Sequence, residues 1–298
     1  MMSEYAHACE ICGAHNWQVI YKGFIRNGSF GNFSSSESRV FKCLDCGVQR
    51  LEEDSCYEDS IYESDAYRSI LNQNTDAKGF FDEHDVLQLR QLEQLWPESL
   101  RGKVIVDVGC AAGAFLDHIS GLAETTVAVE PCKIYHQSLR QRGHQVFSSC
   151  QQLDDLPIDL VTSFSVIEHV ANPRNFLEEI ANIMSVGGKL LISTPNRNDV
   201  LSKLIPEEYA SFFYRSVHRW YFDADSLAKC AEISGFRVIQ KKCVHRFGIG
   251  NAIAWLRDKK PSGLANEGLF GEFLDVAWKT SLQDRNLGDY LYFWLEKR

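Results

Sequence analysis

Two pairs of cysteines near the start of the chain have the spacing of a metal site. Each pair is a Cys-x-x-Cys motif followed by glycine, and together they supply Cys9, Cys12, Cys43 and Cys46. Glycine lets the backbone turn tightly enough to direct two thiolates at one ion. Four thiolates in a tetrahedral arrangement suit structural zinc. Because cysteine fills all four positions, we predict a zinc ion that stabilises a small ribbon and takes no part in chemistry.

The same pairs allow a second interpretation, a redox-active dithiol. A thioredoxin-like motif is expected after a strand, at the start of a helix, and neither pair has that context. The long gap between the pairs leaves room for a hairpin in residues 16–25. The remaining cysteines are scattered, and we expect them to pack as core residues: Cys56, Cys110, Cys132, Cys150, Cys230 and Cys243.

A small-residue loop follows an apolar strand in the stretch VIVDVGCAAGAFL, residues 104–116. In an open parallel sheet, ligands bind beyond the carboxyl ends of the strands. The dinucleotide fingerprint requires glycine at three positions, which here are Gly109, Ala111 and Ala114. Two Cβ atoms therefore obstruct the path of a pyrophosphate, and the Gly-Lys-Ser/Thr ending of a P-loop is missing. We predict a ligand that presents no phosphate to this loop.

Two carboxylates lie at the ends of neighbouring predicted strands. Asp107 directly precedes the loop, where it could anchor the loop or receive an ammonium group, and Glu130 ends the next strand. From that position a carboxylate can accept both hydroxyls of a ribose. An ammonium group and a ribose without phosphate describe S-adenosylmethionine. The alternative is a strand-to-helix turn that binds nothing.

Strand-like and helix-like segments alternate after residue 80. The predicted strands are KVIVDVG, TTVAVE, HQVFSS, DLVTSF and KLLISTP, followed near the C-terminus by FRVIQKKCV and DYLYFWLEK. Between them, NPRNFLEEIANIMS is a helix with Asn172 as its cap and Pro173 at its first position, and an earlier helix is expected to end at Pro97. Alternation of this kind predicts an α/β fold with a doubly wound, mostly parallel sheet.

The motifs VDVGCAAGAFL, VAVEP, IDLVTSFSVIEHVANPRNFLEEI and MSVGGKLLISTPN resemble the successive motifs of class I methyltransferases of the ubiquinone/menaquinone-methyltransferase-like branch. The resemblance implies seven strands, the last two antiparallel, and binding of S-adenosylmethionine. Carried over, the implied cofactor residues are Asp107, Gly109, Cys110, Ala111, Gly113, Glu130 and Ser165. Ala111 departs from the family's usual glycine. The stretch FSSCQQL lacks the family's frequent adenine-binding aspartate, leaving Ser149 or Cys150 to serve.

The chain is thus expected to contain three parts. Residues 1–51 form the zinc ribbon, residues 52–79 form an acidic, tyrosine-rich linker, and residues 80–298 form the methyltransferase domain. Two additions to that domain, 198–222 and 244–287, follow strands of the sheet. Segments in such positions build substrate pockets in this fold.

Two histidines lie where the family's chemistry takes place. His169 follows the fourth strand and His218 belongs to the addition after the fifth. We expect His218 to be the general base, because a substrate-specific segment can reach the acceptor, and His169 to support the reaction. The alternatives are that His169 only orients the loop or cofactor and that His218 caps the next helix. Three neighbours of His218 are candidate substrate-binding residues: Tyr214, Arg215 and Tyr221.

A zinc ribbon ahead of such a domain is similar to the arrangement in bacterial deoxysugar methyltransferases, which act on nucleotide-linked sugars. Their histidine base follows the fifth strand in a segment that Tyr214 and His218 match. The long C-terminal domain of the sugar C-methyltransferases is missing here. The resemblance therefore favours O-methylation of a sugar or another small molecule, in surface-polysaccharide or natural-product synthesis.

Two other classes of function remain open at this point: an RNA methyltransferase that grips RNA with the ribbon, and a non-catalytic binding protein. The formal net charge of −9, from 40 acidic and 31 basic side chains, disfavours a broad nucleic-acid interface or an anionic membrane surface. The start of the chain does not resemble a signal peptide, and no apolar run is long enough to span a membrane. We therefore expect a cytoplasmic enzyme with a small-molecule substrate.

Overall fold

The structure, a computed structural model, describes residues 7–73, 77–96, 98–153, 156–261, 263 and 268–298. The predicted helix end at Pro97 lies outside these residues, as do residues 74–76 of the predicted linker and residues 262 and 264–267 of the second addition. None of the helices in the described part of the chain has the length and apolar character needed to cross a membrane.

The strands follow one another along the chain as β1 (Trp17–Gly23), β2 (Ser38–Cys43), β3 (Gln49–Leu51), β4 (Val104–Val108), β5 (Thr125–Val129), β6 (Gln145–Phe147), β7 (Leu160–Phe164), β8 (Lys189–Pro195), β9 (Trp220–Tyr221), β10 (Phe236–Val244) and β11 (Tyr290–Lys297). The helices are α1 (Ala66–Ile70), α2 (Ala77–Leu95), α3 (Ala114–Ile119), α4 (His136–Gln141), α5 (Pro173–Asn182), α6 (Leu201–Leu204), α7 (Pro206–Phe213), α8 (Ala224–Ile233), α9 (Ile249–Asp258) and α10 (Glu272–Asp284).

Seven strands form one sheet in the order β10-β11-β8-β7-β4-β5-β6. The pairs β4–β5, β4–β7, β5–β6 and β7–β8 are parallel. Every residue of β4 is buried, as expected of a parallel strand with helices on both faces. The predicted α/β fold with a seven-stranded, mostly parallel sheet is confirmed, and each predicted strand forms. Asn172 also caps α5 as predicted, because its side chain accepts a hydrogen bond from the backbone N–H of Asn175 at 3.1 Å.

A second, four-stranded sheet has the order β1-β2-β3-β9. The predicted hairpin within residues 16–25 is wrong, because that stretch contains a single strand, β1, which pairs antiparallel with β2. The fourth strand, β9, comes from far along the chain. It pairs antiparallel with β3, with Gln49 opposite Tyr221 and Arg50 opposite Trp220. The cysteine-bearing ribbon therefore shares its sheet with the segment that directly follows His218.

The chain divides into two compact units. The first unit contains Met1–Cys56, Thr194–Cys230 and Lys241–Tyr292, so the four-stranded sheet lies entirely within it. The second unit contains Tyr57–Ser193, Ala231–Gln240 and Phe293–Arg298, and it includes the loop between β4 and α3.

Arg50 is the most buried cation of the four-stranded sheet, with only 4% of its side chain exposed. Its guanidinium lies 3.0 Å from a carboxylate oxygen of Glu10, bonds to Glu53, and lies over the indole ring of Trp220 at 5.3 Å. Glu10 stands between the two cysteines of the first pair. Arg50 therefore connects the first cysteine turn to β9.

Replacing Arg50 with methionine should lower the free energy of unfolding by about 2–3 kcal/mol, because the partly buried Glu10 would lose its charged hydrogen-bond partner. Arg39→Met is the matched control, since Arg39 is 41% exposed in its pair with Glu52 on the same sheet. The control should cost about 1 kcal/mol or less. Urea unfolding of both variants measures the difference, and equal losses would contradict the role given to Arg50.

Candidate functional site

The loop after β4 uses backbone conformations that few residues adopt. Gly109, Ala111 and Gly113 have φ angles of 79°, 49° and 83°. A Cβ atom at Gly109 would collide with Val166, so glycine is needed there for space as well as for conformation. Ala111 holds a left-handed conformation that costs an L-residue roughly 1–2 kcal/mol. Such a conformation persists only where the surroundings enforce it.

The carboxylate of Glu130 holds Ala111 in this conformation. One oxygen of its carboxylate accepts a hydrogen bond from the backbone N–H of Ala111 at 2.7 Å, and the other accepts from the N–H of Cys132 at 2.8 Å. The residue is 6% exposed. Burial raises the pKa of Glu130 to about 7, although the two N–H donors act in the opposite direction. The carboxylate has further lone pairs for hydroxyl donors, so the structure supports Glu130 as a candidate ribose ligand.

Asp107 is the second buried acid of this site, with 3% exposure. The hydroxyl of Thr162, on the neighbouring strand β7, donates to its Oδ1 at 2.7 Å. Burial raises the pKa of Asp107 to about 7 against the effect of this hydrogen bond, and the Glu130 carboxylate raises it further. Two buried carboxyls that repel each other fit a ligand that brings a positive charge and hydroxyl donors.

Cys110 and Arg142 complete the surroundings of the loop. Cys110 is buried, and burial next to Glu130 and Asp107 raises the pKa of its thiol, which is therefore neutral; its contact with the cofactor stays a prediction. Arg142 donates to the carbonyl oxygen of Ala112 and to the carboxylate of Asp117 in α3. Arg142 could not be selected from the sequence, because a cation at the end of α4 belongs to no recognisable motif.

The region after β7 contains Ser165 and His169. Ser165 has a φ of 58° and its N–H donates to the carbonyl oxygen of Ser193 at 3.0 Å. Nδ1 of His169 lies 3.0 Å from the hydroxyl of Tyr62, and the ring of Tyr67 lies 5.6 Å from the imidazole ring. Both tyrosines belong to the predicted linker, which thereby holds the ring of His169 in place. The repeated tyrosines of that stretch were the signal that could have identified them.

Ser149 and Cys150, the adenine-binding candidates, directly follow β6 and begin a short 3₁₀ turn. Cys150 is buried, and burial raises the pKa of its thiol to about 12. Since β6 neighbours β5 in the sheet, these residues follow the strand next to the one that Glu130 ends. Their role in adenine binding stays a prediction.

In the first unit, the four predicted metal-binding cysteines come together. Sγ of Cys9 lies 3.6 Å from that of Cys46, the same distance separates Cys12 from Cys43, and all four sulfur atoms lie within 4.8 Å of one another. A tetrahedron with Zn–S bonds of about 2.3 Å has edges of about 3.8 Å. Gly13 and Gly47 follow the pairs with φ angles of 75° and 79°, as the predicted turns require. The four thiols fit one tetrahedral metal ion.

His218 is buried in the first unit and bonds to Arg215. Nε of Arg215 donates to Nε2 of His218 at 2.9 Å, and Nη2 donates to the same atom. The helix-cap alternative for His218 is not supported, because Asp223 caps α8 with a 2.8 Å hydrogen bond from the N–H of Ser226.

The rings of Tyr214 and Tyr221 lie 4.8 Å apart, and the ring of Tyr221 lies 6.1 Å from the imidazole ring of His218. The hydroxyl of Tyr214 donates to Oε1 of Gln49 at 2.9 Å, and that of Tyr221 accepts from the N–H of Arg215 at 3.0 Å. Burial raises the pKa of both hydroxyls, which are therefore neutral. The tyrosines hold the backbone around Arg215, and their contact with substrate stays a prediction.

The sheet order, the glycine-containing loop and the two buried acids at the ends of β4 and β5 define a class I S-adenosylmethionine-dependent methyltransferase. A family profile described as a methyltransferase domain matches residues 81–241, which is more than half of the chain. The protein therefore belongs to this methyltransferase family.

Relatives and solved structures agree with this assignment. The chain is 24% identical over 193 residues to a ubiquinone biosynthesis O-methyltransferase of Coxiella burnetii, covering 60% of this chain and 82% of the relative. It is also 24% identical over 211 residues to the Aeromonas salmonicida protein of the same name, covering 62% and 85%. A methyltransferase structure from Archaeoglobus fulgidus shares the fold with a TM-score of 0.50 and 17% identity, covering 73% of this chain and 98% of that one.

Cofactor affinity should depend on pH through Glu130. Below about pH 7 the carboxyl is largely protonated, whereas a ribose that donates two hydroxyls favours the ionised form. Binding of S-adenosylmethionine should therefore release protons and weaken as the pH falls from 8 to 6. Glu130→Gln should weaken binding at pH 8 by roughly 2–4 kcal/mol, the scale of losing charged hydrogen bonds.

Calorimetric titration in two buffers of different ionisation enthalpy measures both the affinity and the released protons. Glu98→Gln is the control, because Glu98 pairs with Lys103 and Lys189 next to the amino ends of β4 and β8. The control should bind like the unchanged protein. Unchanged affinity in Glu130→Gln would remove Glu130 from the ribose site.

Proposed function

We propose that this methyltransferase transfers the methyl group of S-adenosylmethionine to a hydroxyl group of a small-molecule acceptor. The observation that supports the donor site most strongly is the buried Glu130 carboxylate, which joins the loop after β4 to the end of β5. When bound, S-adenosylmethionine supplies an electrophilic methyl group. In this proposal Glu130 holds the ribose, Asp107 receives the ammonium group or orders the loop, and the loop from Gly109 to Gly113 wraps the methionine part.

The acceptor that we favour is a sugar, and in particular a nucleotide-linked sugar. Support comes from the combination of a four-cysteine ribbon with a methyltransferase domain and from the polar segment around His218, which carries Tyr214 and Arg215. A second candidate is a ubiquinone precursor, because the relatives from Coxiella burnetii and Aeromonas salmonicida are O-methyltransferases of ubiquinone biosynthesis. A cytoplasmic location is part of the same proposal.

The proposed catalytic roles fall to two histidines. His218 accepts the proton of the acceptor hydroxyl at Nε2, because the hydrogen bonds from Arg215 leave that nitrogen without a proton of its own. His169 supports the reaction through an imidazole ring that Tyr62 and Tyr67 hold in place. Positioning of this kind supplies much of the rate in reactions with an in-line nucleophile.

Radiolabelled methyl transfer identifies the acceptor class. Purified protein with labelled S-adenosylmethionine is tested against nucleotide sugars, phenolic quinone precursors and bulk RNA. We expect label in one of the two small-molecule pools, with nucleotide sugars first. Label in RNA alone would contradict the proposal and favour use of the ribbon for RNA binding.

His218→Ala should lower kcat by roughly 10²–10⁴-fold, the usual contribution of a general base, and leave the affinity for S-adenosylmethionine nearly unchanged. His169→Phe keeps the ring packing and removes the hydrogen bond from Tyr62. It should lower kcat less than His218→Ala does. Full kcat in the His218 variant would show that another group, or proximity alone, carries the reaction.

We also propose that the ribbon binds one zinc ion through Cys9, Cys12, Cys43 and Cys46. Metal analysis of protein prepared without chelator should find about one zinc per chain. Cys43→Ser should unfold the four-stranded sheet, because metal binding supplies much of the folding free energy of such modules. The near-ultraviolet circular dichroism signal of Trp220 should then be lost. Cys230→Ser is the control, since Cys230 lies in α8. Protein without metal but with the sheet intact would contradict a structural zinc.

A further inference from the structure

Arg215 is an arginine whose guanidinium bonds to a histidine instead of a carboxylate. Its Nε and Nη2 atoms both donate to Nε2 of His218. Among the residues that the structure describes, no Asp or Glu forms an ion pair with Arg215. The side chain is partly exposed, whereas His218 is 3% exposed. The guanidinium of Arg215 therefore occupies the lone pair of His218 Nε2, which a general base would use to accept a proton.

Three other arginines of the same unit form ion pairs with carboxylates. Arg50 pairs with Glu10 and Glu53, Arg197 pairs with Asp223, and Arg219 pairs with Glu53. Arg215 has no such carboxylate partner among the described residues, so its positive charge is available to a ligand.

A second arginine is bridged to Arg215 through the backbone. Arg26 and Arg215 form a parallel backbone bridge, with the N–H of Arg26 donating to the carbonyl oxygen of Tyr214 at 3.0 Å. The guanidinium of Arg26 lies over the ring of Phe212 at 4.5 Å. The bridge therefore places the backbone of a second arginine beside that of Arg215.

An oxyanion is a better partner for Arg215 than the imidazole is. A guanidinium offers parallel N–H groups that match two oxygens of a phosphate or carboxylate, and hydrogen bonds between charged groups are about twice as strong as neutral ones. His218 offers a single neutral nitrogen. An oxyanion at this position should therefore draw the guanidinium away from Nε2.

We propose that Arg215 recognises a phosphate or carboxylate group of the acceptor and, by moving to it, frees Nε2 of His218. The inference rests on the proposed function, in which Nε2 receives the proton of the acceptor hydroxyl. In that step the hydroxyl oxygen forms its bond to the methyl carbon, the sulfur keeps the electron pair of the broken S–C bond, and the proton goes to Nε2. Arg215 is thus a specificity-determining residue that makes the base available only when an anionic acceptor is bound.

Nitrogen NMR of imidazole-labelled protein tests the displacement without any acceptor. The Nε2 signal of His218, assigned by its loss in His218→Ala, should shift when inorganic phosphate or acetate is added. A response to phosphate alone indicates a phosphate-bearing acceptor, and a stronger response to acetate indicates a carboxylate. Both responses support the displacement. An Nε2 signal that neither anion changes at saturation would overturn the proposal.

Arg215→Gln provides the decisive comparison. Its Nε2 signal should lie near the shifted position before any anion is added, and phosphate should not move it further. Arg257→Gln is the matched control, because Arg257 is an exposed arginine of the same unit in α9, and it should respond as the unchanged protein does. A full phosphate response in Arg215→Gln would contradict displacement from Arg215.

Kinetics separate this inference from the proposed function. With an anionic acceptor found in the methyl-transfer screen, Arg215→Gln should raise KM by roughly 10–100-fold and leave kcat within a few-fold. Full activity in His218→Ala would refute the base assignment even if the NMR response is present. Loss of activity in His218→Ala together with an unresponsive Nε2 signal would refute only the role of Arg215.

Discussion

One buried carboxylate determines the geometry of the cofactor site. Glu130 accepts the N–H of Ala111 from the loop after β4 and the N–H of Cys132 from the chain after β5. Without these hydrogen bonds, a left-handed alanine and a buried acid would both be unfavourable. With them, the ends of two parallel strands are fastened together at the edge of the sheet where ligands of this fold bind. The carboxylate of Glu130 is thus already in place to accept hydrogen bonds from the hydroxyl groups of a ligand.

Features that depend on residues close together in the sequence could be predicted. The seven strands of the large sheet are apolar runs bounded by loops and helices, and the α5 cap is a local Asn-Pro signal, so both were found from the sequence. The cysteine cluster followed from spacing within each pair. Glu130 was found because it ends the strand that follows the glycine-containing loop, where this fold has a ribose-binding acid. Its hydrogen bonds to the loop backbone required coordinates.

The features that depend on distant parts of the chain were not predictable. A two-residue strand such as β9 has no periodicity, so its pairing with β3 could not be derived, and β1 likewise pairs with β2 across a connection that residues 16–25 do not contain. Tyr62 contacts His169 from a stretch whose acidic composition suggested a linker. These contacts decide how both histidines are held, which is why the sequence located the histidines but not their partners.

The central claim is that the carboxylate which holds the loop also holds the ribose. A crystal structure of the protein with S-adenosylhomocysteine tests it most directly. We expect both ribose hydroxyl oxygens within about 3.2 Å of the Glu130 carboxylate, with the N–H groups of Ala111 and Cys132 still bonded to it. A ribose bound elsewhere, with Glu130 bonded only to the backbone, would contradict the claim.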